Sequence, residues 1–389
     1  MYNTVALIPA RGGSKSISMK NIKLINNRPL IYWALDAAVE CQEIDHVFVS
    51  TDHDEIKNCV LKYNHPKVSA IGRSPIVSTD TASTESVMLE FSQNYNFNNI
   101  VLIQATSPLI TAHDLSRGIA RYYENDVDSV LSGVWQKRFI WNIEGTLAIP
   151  QNYNPACRPM RQEFKGYMIE NGAFYITSKQ RLMKTGTRIS GKISMIEMAQ
   201  ETFLELDEPL DWLIIEQLLK NRQNDKIELK EKIKKIKALF VDCDGVLTDG
   251  GMYYSEKNDE LKKFNTRDGM AFQILKEYGY ITGIITGEVR DLVKRRAMKL
   301  RVDEIHLGVK NKAQLLQDIM NKYNFTHDEI AYIGDDINDL EVIKSVGLGC
   351  CVNDGMQVVK QSADYITSVN GGYGAVREVV ELLIGVKGS

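Results

Sequence analysis

The sequence predicts an α/β protein in which one chain of 389 residues folds into two Rossmann-like domains. In both halves, short apolar runs rich in Val and Ile alternate with helical stretches, which indicates a mostly parallel sheet covered on both faces. Several of these runs end in glycine, hydroxyl or carboxylate residues, as is typical of ligand sites at the carboxyl ends of parallel strands. We therefore predict domains at 1–222 and 236–389, joined by a charged linker at 223–235.

The composition is that of a globular protein without a bias toward nucleic acids or membranes. Hydrophobic residues make up 44% of the chain and charged residues 25%, which is ample for two cores. The net charge of −3 and the isoelectric point near 6.1 give no basic surface for polyanions. The sequence shows no signal-peptide pattern, no apolar run of membrane-spanning length and no zinc spacing among its six cysteines. We expect a cytoplasmic enzyme with reduced thiols that binds neither nucleic acid nor membranes.

The N-terminal half begins with an apolar strand at residues 4–8, followed by a Gly-Gly-Ser turn at 12–14. The turn lies among Arg11, Lys15 and Lys20, so it offers backbone N–H groups and cations to a triphosphate. A purely structural glycine turn is the alternative interpretation. Strands and helices then alternate; the predicted strands are 46–50, 100–103, 129–132 and 173–177, and the predicted helices include 29–41 and 84–95.

Four separated motifs of this half resemble those of the CMP-sialic acid synthetases (acylneuraminate cytidylyltransferases). They are Ile-Pro-Ala-Arg-Gly-Gly-Ser-Lys at 8–15 with Lys20-Asn21, Ser-Thr-Asp-His-Asp-Glu-Ile at 50–56, Gln-Ala-Thr-Ser-Pro at 104–108 and Glu-Asn-Gly-Ala-Phe-Tyr at 170–175. The resemblance covers about residues 4–220. It implies transfer of CMP from CTP to the anomeric hydroxyl of a nonulosonate, a sialic acid-type sugar, with release of pyrophosphate. Positioning and charge neutralisation dominate such chemistry.

The same resemblance implies roles for individual residues of this half. CTP would be surrounded by Arg11, Gly13, Ser14, Lys20, Asn21, Arg73 and Thr84, with Arg11 and Lys20 supplying positive charge beside Mg²⁺. The sugar pocket would be lined by Gln104, Arg161, Asn171 and Tyr175. The Mg²⁺ ligands would come from Glu205, Asp207 and Asp211. The chain departs from the family at Glu205, where aspartate is usual, and at Ser16 and Ser18, where glycine and proline are common.

The linker at 223–235 is rich in lysine. Such a run is found in nuclear addresses and anion-binding patches. Its interspersed acids Asp225, Glu228 and Glu231 favour instead a solvated helix that joins two domains.

The C-terminal half is organised around Asp242-Cys243-Asp244-Gly245, which ends an apolar strand at 238–241. The two carboxylates point the same way, and they repel each other unless a cation lies between them or one is protonated. This arrangement is typical of Mg²⁺-assisted phosphoryl transfer, in which one carboxylate attacks phosphorus and the other moves protons. A polar turn is the alternative. A second acidic cluster at 335–339, after another apolar strand, favours the catalytic interpretation.

The order of motifs in this half resembles that of the haloacid dehalogenase phosphatases. The resemblance implies that Asp242 is the nucleophile and Asp244 the general acid/base. Thr286, at the end of a third strand, and Lys312, at the start of a helix, would hold the phosphoryl oxygens. Asp335 would complete a Mg²⁺ site with the first two aspartates.

The segment 253–264 is too short for a large cap and predicts a hairpin flap, that is, a minimal cap. Such phosphatases resemble the small tetrameric enzymes that act on 3-deoxy-octulosonate and nonulosonate phosphates, so we expect a homotetramer formed through the C-terminal domain. Glu288 with Lys299 resembles the sugar-recognising pair of the nonulosonate 9-phosphate phosphatases, although both could lie on an exposed charged helix. Tyr373 stands where relatives often have arginine.

Three functions follow from these observations. The first is a bifunctional enzyme that removes the phosphate of a nonulosonate 9-phosphate and activates the sugar with CTP. The two-domain order resembles that of the animal synthetases, whose phosphatase-like half has lost the acidic pair, whereas this chain keeps both Asp242 and Asp244. The second is a cytidylyltransferase alone, whose phosphatase-like domain serves only as a tetramerisation scaffold. The third is a sugar-binding protein without activity. An octulosonate-specific pair of activities also stays open, as does the identity of the nonulosonate.

Overall fold

The computed structural model describes residues 2–13, 16–79, 81–124, 126–254, 256 and 260–387. The chain divides into two compact units, Met1–Arg222 and Gln223–Ser389. Ser14, which we predicted to contact CTP, lies outside the described residues.

The first unit is built on a seven-stranded sheet flanked by helices, and it also contains two separate two-stranded pairs. Its strands are β1 (Tyr2–Pro9), β2 (Leu24–Ile25), β3 (Arg28–Pro29), β4 (His46–Thr51), β5 (Val68–Gly72), β6 (Phe97–Ile103), β7 (Ser129–Gln136), β8 (Trp141–Glu144), β9 (Leu147–Pro150), β10 (Tyr167–Ser178) and β11 (Ile193–Glu197). Its helices are α1 (Leu30–Glu40), α2 (Asp54–Tyr63), α3 (Thr84–Asn94), α4 (Ala112–Tyr122) and α5 (Lys179–Thr185), followed by α6 (Pro209–Lys235), which continues into the second unit.

The large sheet has the order β11-β7-β10-β6-β1-β4-β5. β10 runs antiparallel to both of its neighbours, and the other pairings are parallel. Because β10 runs the opposite way, its first half lies at the edge where β1, β4 and β6 end. Alternate residues of β1 enter different hydrophobic clusters on the two faces, Ala6 and Ile8 in one, Val5 and Leu7 in the other. A strand buried on both faces explains the continuous apolar run.

The second unit contains a six-stranded, wholly parallel sheet of order β16-β15-β12-β17-β18-β19. Its strands, with those of a separate two-stranded pair, are β12 (Ala238–Val241), β13 (Tyr253–Tyr254), β14 (Glu260–Leu261), β15 (Ile281–Ile285), β16 (Glu304–His306), β17 (Ile330–Gly334), β18 (Leu348–Cys351) and β19 (Tyr365–Ile366). Its further helices are α7 (Thr266–Glu277), α8 (Asp291–Leu300), α9 (Lys312–Tyr323), α10 (Leu340–Ser345), α11 (Gln357–Lys360) and α12 (Ala375–Lys387).

The tail segment before α12 packs directly on the loop that follows Asp242. Gly371 lies so close to the carbonyl of Gly245 that a Cβ at this position would overlap it. The Gly372 N–H donates to the carbonyl of Val246 at 2.9 Å. Buried Asp268 accepts hydrogen bonds from the N–H groups of Gly374 and Arg377 at 3.1 and 2.9 Å, which caps α12. The end of the chain thus supports the start of the second unit.

The α/β class and the strand–helix alternation predicted from the sequence are confirmed. Residues 223–235 lie within α6. Tyr253–Tyr254 and Glu260–Leu261 pair as a short antiparallel hairpin; its role as a minimal cap stays a prediction. Within the described residues, none of the helices has the length and apolar character needed to span a bilayer.

Candidate active sites

The C-terminal site lies where three neighbouring parallel strands end. Asp242 follows β12, Thr286 follows β15 and Asp335 follows β17. β12 lies between the other two in the sheet, so the three carboxyl ends meet at one edge. Residues far apart in the sequence are thus brought to the same edge of the sheet.

Asp242 is 5% exposed and fixed by hydrogen bonds from both sides. Its backbone N–H donates to the carbonyl of Ile333 at 2.9 Å. Its Oδ1 accepts from Lys312 Nζ at 3.0 Å and from the Cys243 N–H at 2.7 Å. Within the described part of the chain both side-chain bonds fall on Oδ1, which leaves Oδ2 for bond formation.

Lys312 is oriented by Asp339, a residue to which the sequence analysis gave no role. Lys312 Nζ donates to Asp339 Oδ1 at 2.7 Å, and the buried Tyr332 hydroxyl donates to the same oxygen at 2.6 Å. The other oxygen of Asp339 accepts from the Asp335 N–H at 3.1 Å. A buried carboxylate is costly unless it is paired and hydrogen-bonded, and Asp339 meets both conditions. It holds the lysine beside Asp242.

The carboxylates of this site repel one another strongly. One oxygen each from Asp242, Asp335 and Asp339 lies within 4.8 Å of the others. Burial, and then the Asp339 carboxylate, raise the pKa of Asp242 to about 7 in spite of Lys312. Burial and the Asp242 carboxylate raise the pKa of Asp335 to about 7 as well. Both groups therefore favour a proton or a cation nearby.

The donor set fits a divalent cation. Oδ1 of Asp335 is buried and has no hydrogen-bond partner among the described residues, which is costly in a folded protein. Hard divalent cations prefer carboxylate oxygens, and one placed here would satisfy this atom and relieve the repulsion. Asp242 and Asp335 are the residues suited to hold it, because the oxygens of Asp339 already accept hydrogen bonds.

Asp244 does not belong to this cluster, in contrast to the predicted metal set. Both of its oxygens instead accept hydrogen bonds from Lys262 Nζ, at 2.7 and 2.8 Å. Lys262 also contacts Glu288 Oε2. The side chain of Lys262 is 0% exposed, so one buried ammonium bridges the predicted acid/base and the predicted sugar-recognition residue.

Thr286 and Glu288 share one short loop after β15. Thr286 is buried, and its hydroxyl accepts a hydrogen bond from the Glu288 N–H at 3.2 Å. Lys299, which was predicted together with Glu288 to recognise the sugar, is exposed in the last turn of α8. Glu288 itself is contacted by Lys262.

The N-terminal site is organised by the loop after β1. The Gly12 N–H donates to Asp52 Oδ1 at 3.1 Å, and Asn21 Nδ2 donates to the carbonyl of Arg11 at 3.0 Å. The ring of His53 lies against Gly12, where a Cβ would clash with it. Gly13 continues the loop in an exposed position. These contacts hold Arg11 and Gly12 in place at the start of the loop.

Lys20 is buried and contacts two residues near the end of the first unit, Leu206 and Asp207. Its Nζ donates to the carbonyl of Leu206 at 2.7 Å and to Asp207 Oδ1 at 3.2 Å. Asp207 is 65% exposed on its side chain. A predicted phosphate ligand and a predicted metal ligand therefore contact each other.

The three predicted metal ligands of this unit do not converge on one point. Among the described residues they form no cluster of three carboxylate oxygens. Asp211 Oδ2 accepts from the N–H groups of Asp207 and Glu208 at 3.1 and 2.7 Å, so it caps the start of α6. Burial, then Asp207 and Glu170, raise the pKa of Glu205.

Two further predicted nucleotide contacts are Arg73 and Thr84. Arg73 Nη2 donates to the carbonyl of Ser50 at 2.6 Å, at the end of β4, while its Nε is buried and finds no hydrogen-bond partner in the part of the chain that the structure describes. Burial lowers the pKa of Arg73, and Arg11 adds to this effect. Thr84 is the first residue of α3 and is half-buried.

Three of the four predicted sugar contacts lie near the junction of β6 and β10. The Gln104 N–H donates to the carbonyl of Ala173 at 3.0 Å. Asn171 is buried and its Nδ2 donates to Thr202 Oγ1 at 3.1 Å, so this amide ties β10 to the turn at Gln200–Phe203. Buried Tyr175 donates its hydroxyl to Glu170.

Arg161, the fourth predicted sugar contact, lies apart from the other three. It is exposed and lines an open cavity together with Arg138 and Arg158, a cavity that includes none of Gln104, Asn171 and Tyr175 among its lining residues. A contact missed by the sequence analysis links Tyr175 to α3. Arg188 lies over the Tyr175 ring at 4.9 Å and donates from Nε to Glu85 at 2.5 Å.

Comparison with known proteins finds a different family in each half of the chain. The cytidylyltransferase family model matches residues 5–140, and the haloacid dehalogenase-like hydrolase model matches residues 281–379. Fold and sites thus define an enzyme that combines a nucleotidyltransferase domain with a haloacid dehalogenase-like hydrolase domain. The chain is 34% identical over 393 positions to N-acylneuraminate cytidylyltransferase A of Danio rerio, covering 98% of this chain and 89% of that relative. It belongs to the N-acylneuraminate cytidylyltransferase family.

The C-terminal part has separate relatives. It is 37% identical over 161 positions to the 3-deoxy-D-manno-octulosonate 8-phosphate phosphatase KdsC of Escherichia coli, an alignment that covers 41% of this chain and 86% of that protein. The crystal structure of the 3-deoxy-D-manno-octulosonate 8-phosphate phosphatase from Moraxella catarrhalis aligns at 39% identity, 41% of this chain, 91% of that chain and a TM-score of 0.40.

Proposed function

We propose that this enzyme catalyses two steps of nonulosonate metabolism. The N-terminal unit couples a nonulosonate to CMP from CTP, with release of pyrophosphate. The C-terminal unit hydrolyses the corresponding sugar 9-phosphate. The name of the Danio rerio relative supports the first activity, and the E. coli relative supports hydrolysis of a sugar-acid phosphate by the second.

The observation that carries the phosphatase activity is the arrangement around Asp242. A buried carboxylate with one oxygen held by Lys312 and the Cys243 N–H presents its other oxygen to phosphorus. Attack forms an Asp242–phosphorus bond and breaks the bond to the sugar oxygen, which takes a proton from Asp244. Asp244 then removes a proton from the water that releases phosphate and regenerates Asp242. Thr286 and Lys312 bind the phosphoryl oxygens.

A scaffold alone would not need these groups. Asp242, Asp339 and Lys312 are all buried. Burying charged groups costs stability, and clusters of this kind are typical of functional sites. Mg²⁺ held by Asp242 and Asp335 would neutralise charge on the transferring phosphoryl group. We therefore favour a working phosphatase over the tetramerisation scaffold.

Glu288 resembles a sugar-recognising residue of the nonulosonate 9-phosphate phosphatases, and this resemblance favours a nonulosonate over an octulosonate. Its carboxylate lies in the loop after Thr286 and offers oxygens to the hydroxyls of a sugar chain. The octulosonate 8-phosphate is the second candidate substrate, because the E. coli relative is named for it.

For the cytidylyl transfer, the loop after β1 and the buried Lys20 provide the phosphate-binding groups. Backbone N–H groups near Gly13 and the cations of Arg11 and Lys20 would hold the triphosphate, with Asn21, Arg73 and Thr84 around the nucleoside. Gln104 and Tyr175 would position the sugar so that its anomeric oxygen meets the α-phosphorus. Asp207, with Glu205, would hold Mg²⁺ beside Lys20.

We also propose that the enzyme is a cytoplasmic homotetramer formed through its C-terminal unit. The resemblance to small tetrameric phosphatases supports this assembly. Multi-angle light scattering of the full chain measures it; a monomer would contradict it.

The decisive experiment measures phosphate release by the full-length enzyme with Mg²⁺ and without CTP. A nonulosonate 9-phosphate and the octulosonate 8-phosphate are assayed side by side, and CMP-sugar formation from free nonulosonate and CTP is measured separately. We expect faster release from the nine-carbon substrate and CMP-sugar formation in the second assay. Release from the octulosonate substrate alone would reassign the substrate. CMP-sugar formation without any phosphate release would leave the C-terminal unit as a scaffold.

A further inference from the structure

We infer that Lys262 is a positioning residue that sets the acid/base carboxylate and the sugar-recognising carboxylate of the phosphatase site in one fixed arrangement. This inference rests on the phosphatase activity proposed above. It adds a residue outside the four phosphatase motifs, on the segment that follows β14.

The geometry of Lys262 uses its whole hydrogen-bonding capacity. An ammonium group has three N–H donors. Lys262 Nζ donates to Asp244 Oδ1 at 2.7 Å and Oδ2 at 2.8 Å, and it also contacts Glu288 Oε2. Both carboxylates therefore lie within one hydrogen-bond length of the same nitrogen.

The burial of Lys262 makes this arrangement depend on all three charges. Its side chain is 0% exposed, while those of Asp244 and Glu288 are 27% and 21% exposed. A buried lysine is strongly unfavourable unless it is paired, and here the two carboxylates offset that cost. Without the lysine, the two carboxylates would repel each other across the same space and separate.

A second ion pair runs beside the first. Glu260 lies two residues before Lys262, and residues two apart on an extended segment point to the same side. Arg290 Nη2 donates to Glu260 Oε2 at 3.0 Å. In the first pair the cation is Lys262 and the carboxylate is Glu288. Two oppositely oriented pairs therefore join the segment 260–262 to the loop 288–290, which fixes the lysine against both partners.

The functional consequence is a link between recognition and proton transfer. Asp244 must reach the oxygen that leaves phosphorus, and Glu288 must reach a hydroxyl of the same substrate. Because one ammonium sets their separation, the site favours a polyhydroxylated phosphate ester whose hydroxyl groups lie near the ester oxygen. An aryl phosphate that offers neither a hydroxyl nor a basic leaving oxygen uses neither carboxylate in its first step.

The test compares Lys262→Met, Lys262→Arg and Lys263→Met in the full-length enzyme. Lys263 is the matched control, a neighbouring lysine that is half-exposed and lies over the Tyr373 ring at 4.5 Å. We measure kcat and KM for the nonulosonate 9-phosphate, the octulosonate 8-phosphate and p-nitrophenyl phosphate. CMP-sugar formation and thermal unfolding of each variant report whether the chain is folded.

We expect Lys262→Met to lower kcat/KM for the preferred sugar phosphate about 100-fold, with a lower kcat and a higher KM, since misplaced general acid/base groups cost this much. For p-nitrophenyl phosphate, kcat/KM should fall less than about 5-fold, because its leaving group needs no proton. Lys262→Arg should restore part of the loss, and Lys263→Met should behave as the unsubstituted enzyme. The double variant with Glu288→Gln should lose little more than Lys262→Met alone.

Equal losses on the sugar phosphate and on p-nitrophenyl phosphate, or no loss on either, would overturn the role of Lys262 while the phosphatase activity stands. Additive losses in the double variant would overturn the link to Glu288. If the unsubstituted enzyme hydrolyses p-nitrophenyl phosphate but neither sugar phosphate, the proposed function fails, and this inference fails with it.

Discussion

The two sites of this enzyme differ in how deeply their charged groups are buried. In the C-terminal unit, Lys312, Asp339 and Asp242 are buried and joined by hydrogen bonds of 2.7 to 3.0 Å. In the N-terminal unit, Asp207 is largely exposed and Arg161 lies on an open surface. The charges of the first site form one buried network, whereas these two residues of the second site are exposed.

This difference bears on the kind of catalysis each unit performs. A covalent nucleophile must be placed within a fraction of an ångström, and a rigid buried network provides that placement at the cost of stability. Nucleotidyl transfer needs a triphosphate and a sugar brought into line, and loops with exposed cations can close around them. We therefore expect substitutions in the C-terminal site to affect turnover and those in the N-terminal site to affect substrate use.

Asp242→Asn removes the proposed nucleophile of the C-terminal site and has the largest expected effect. We expect phosphate release to fall about 10⁴-fold, because an amide oxygen cannot attack phosphorus, while CMP-sugar formation is unchanged. Asp318→Asn, an exposed aspartate on α9, is the matched control and should keep full activity. Full phosphatase turnover in Asp242→Asn would remove this residue as the nucleophile.

Lys20→Met tests the N-terminal unit in the same way. Loss of the buried cation should lower kcat/KM for CTP about 100-fold, since a charged hydrogen bond to phosphate is lost, and phosphate release should not change. Lys57→Met, an exposed lysine on α2, serves as control. An unchanged kcat/KM for CTP would show that Lys20 serves only its bonds to Leu206 and Asp207.

Arg188→Leu tests a contact that links β10 to α3 in the N-terminal unit. Removing the cation over the Tyr175 ring frees that ring and leaves Glu85 without its partner, so we expect KM for the sugar to rise about 10-fold with little change in kcat. Arg181→Leu, which breaks the Arg181–Asp128 pair of the same unit, is the control. A similar rise in KM there would indicate general destabilisation.

Glu304→Gln gives the smallest expected effect and concerns stability alone. Burial would raise the pKa of Glu304, but hydrogen bonds from Lys322, Tyr323 and His306 outweigh burial and lower it. Its carboxylate therefore stabilises the fold above the unfolded pKa of about 4.3, and this contribution is lost as pH falls through the lowered folded pKa. We expect a loss of about 1 kcal/mol at pH 7 and a smaller loss at about pH 3.

Hydrogen exchange of peptides from β16 and α9, followed by mass spectrometry, measures that loss locally. Glu341→Gln, at an exposed position of α10, is the control. A loss of equal size at both pH values would show that charge pairing is not its cause.

The sequence was sufficient for features that depend on one strand and the residues after it. Asp242, Thr286 and Asp335 follow apolar runs, and parallel pairing alone brings such positions together. Partners supplied from elsewhere could not be found in this way. Lys262 lies beside a two-residue strand, and its partners depend on how that segment meets the loop after β15.

The same limit explains the differences in the N-terminal unit. Asp211 lies four residues after Asp207, a spacing that fits a shared metal as well as a helix cap, and the structure has the cap. Arg188 and Glu85 meet through tertiary packing, which no local pattern encodes. One available signal was the alternation of Glu260 and Lys262, since opposite charges two residues apart on an extended segment share one face.

The contact between Gly371 and the carbonyl of Gly245 has a consequence for how such enzymes diverge. Any side chain at position 371 would displace either the tail or the loop that carries Asp244. A relative could therefore lose its phosphatase while both aspartates are still in its sequence, through drift in a tail that touches no substrate. Glycine at position 371 then indicates an intact loop. Its replacement indicates a relative whose C-terminal unit has lost hydrolase activity and keeps only a structural role.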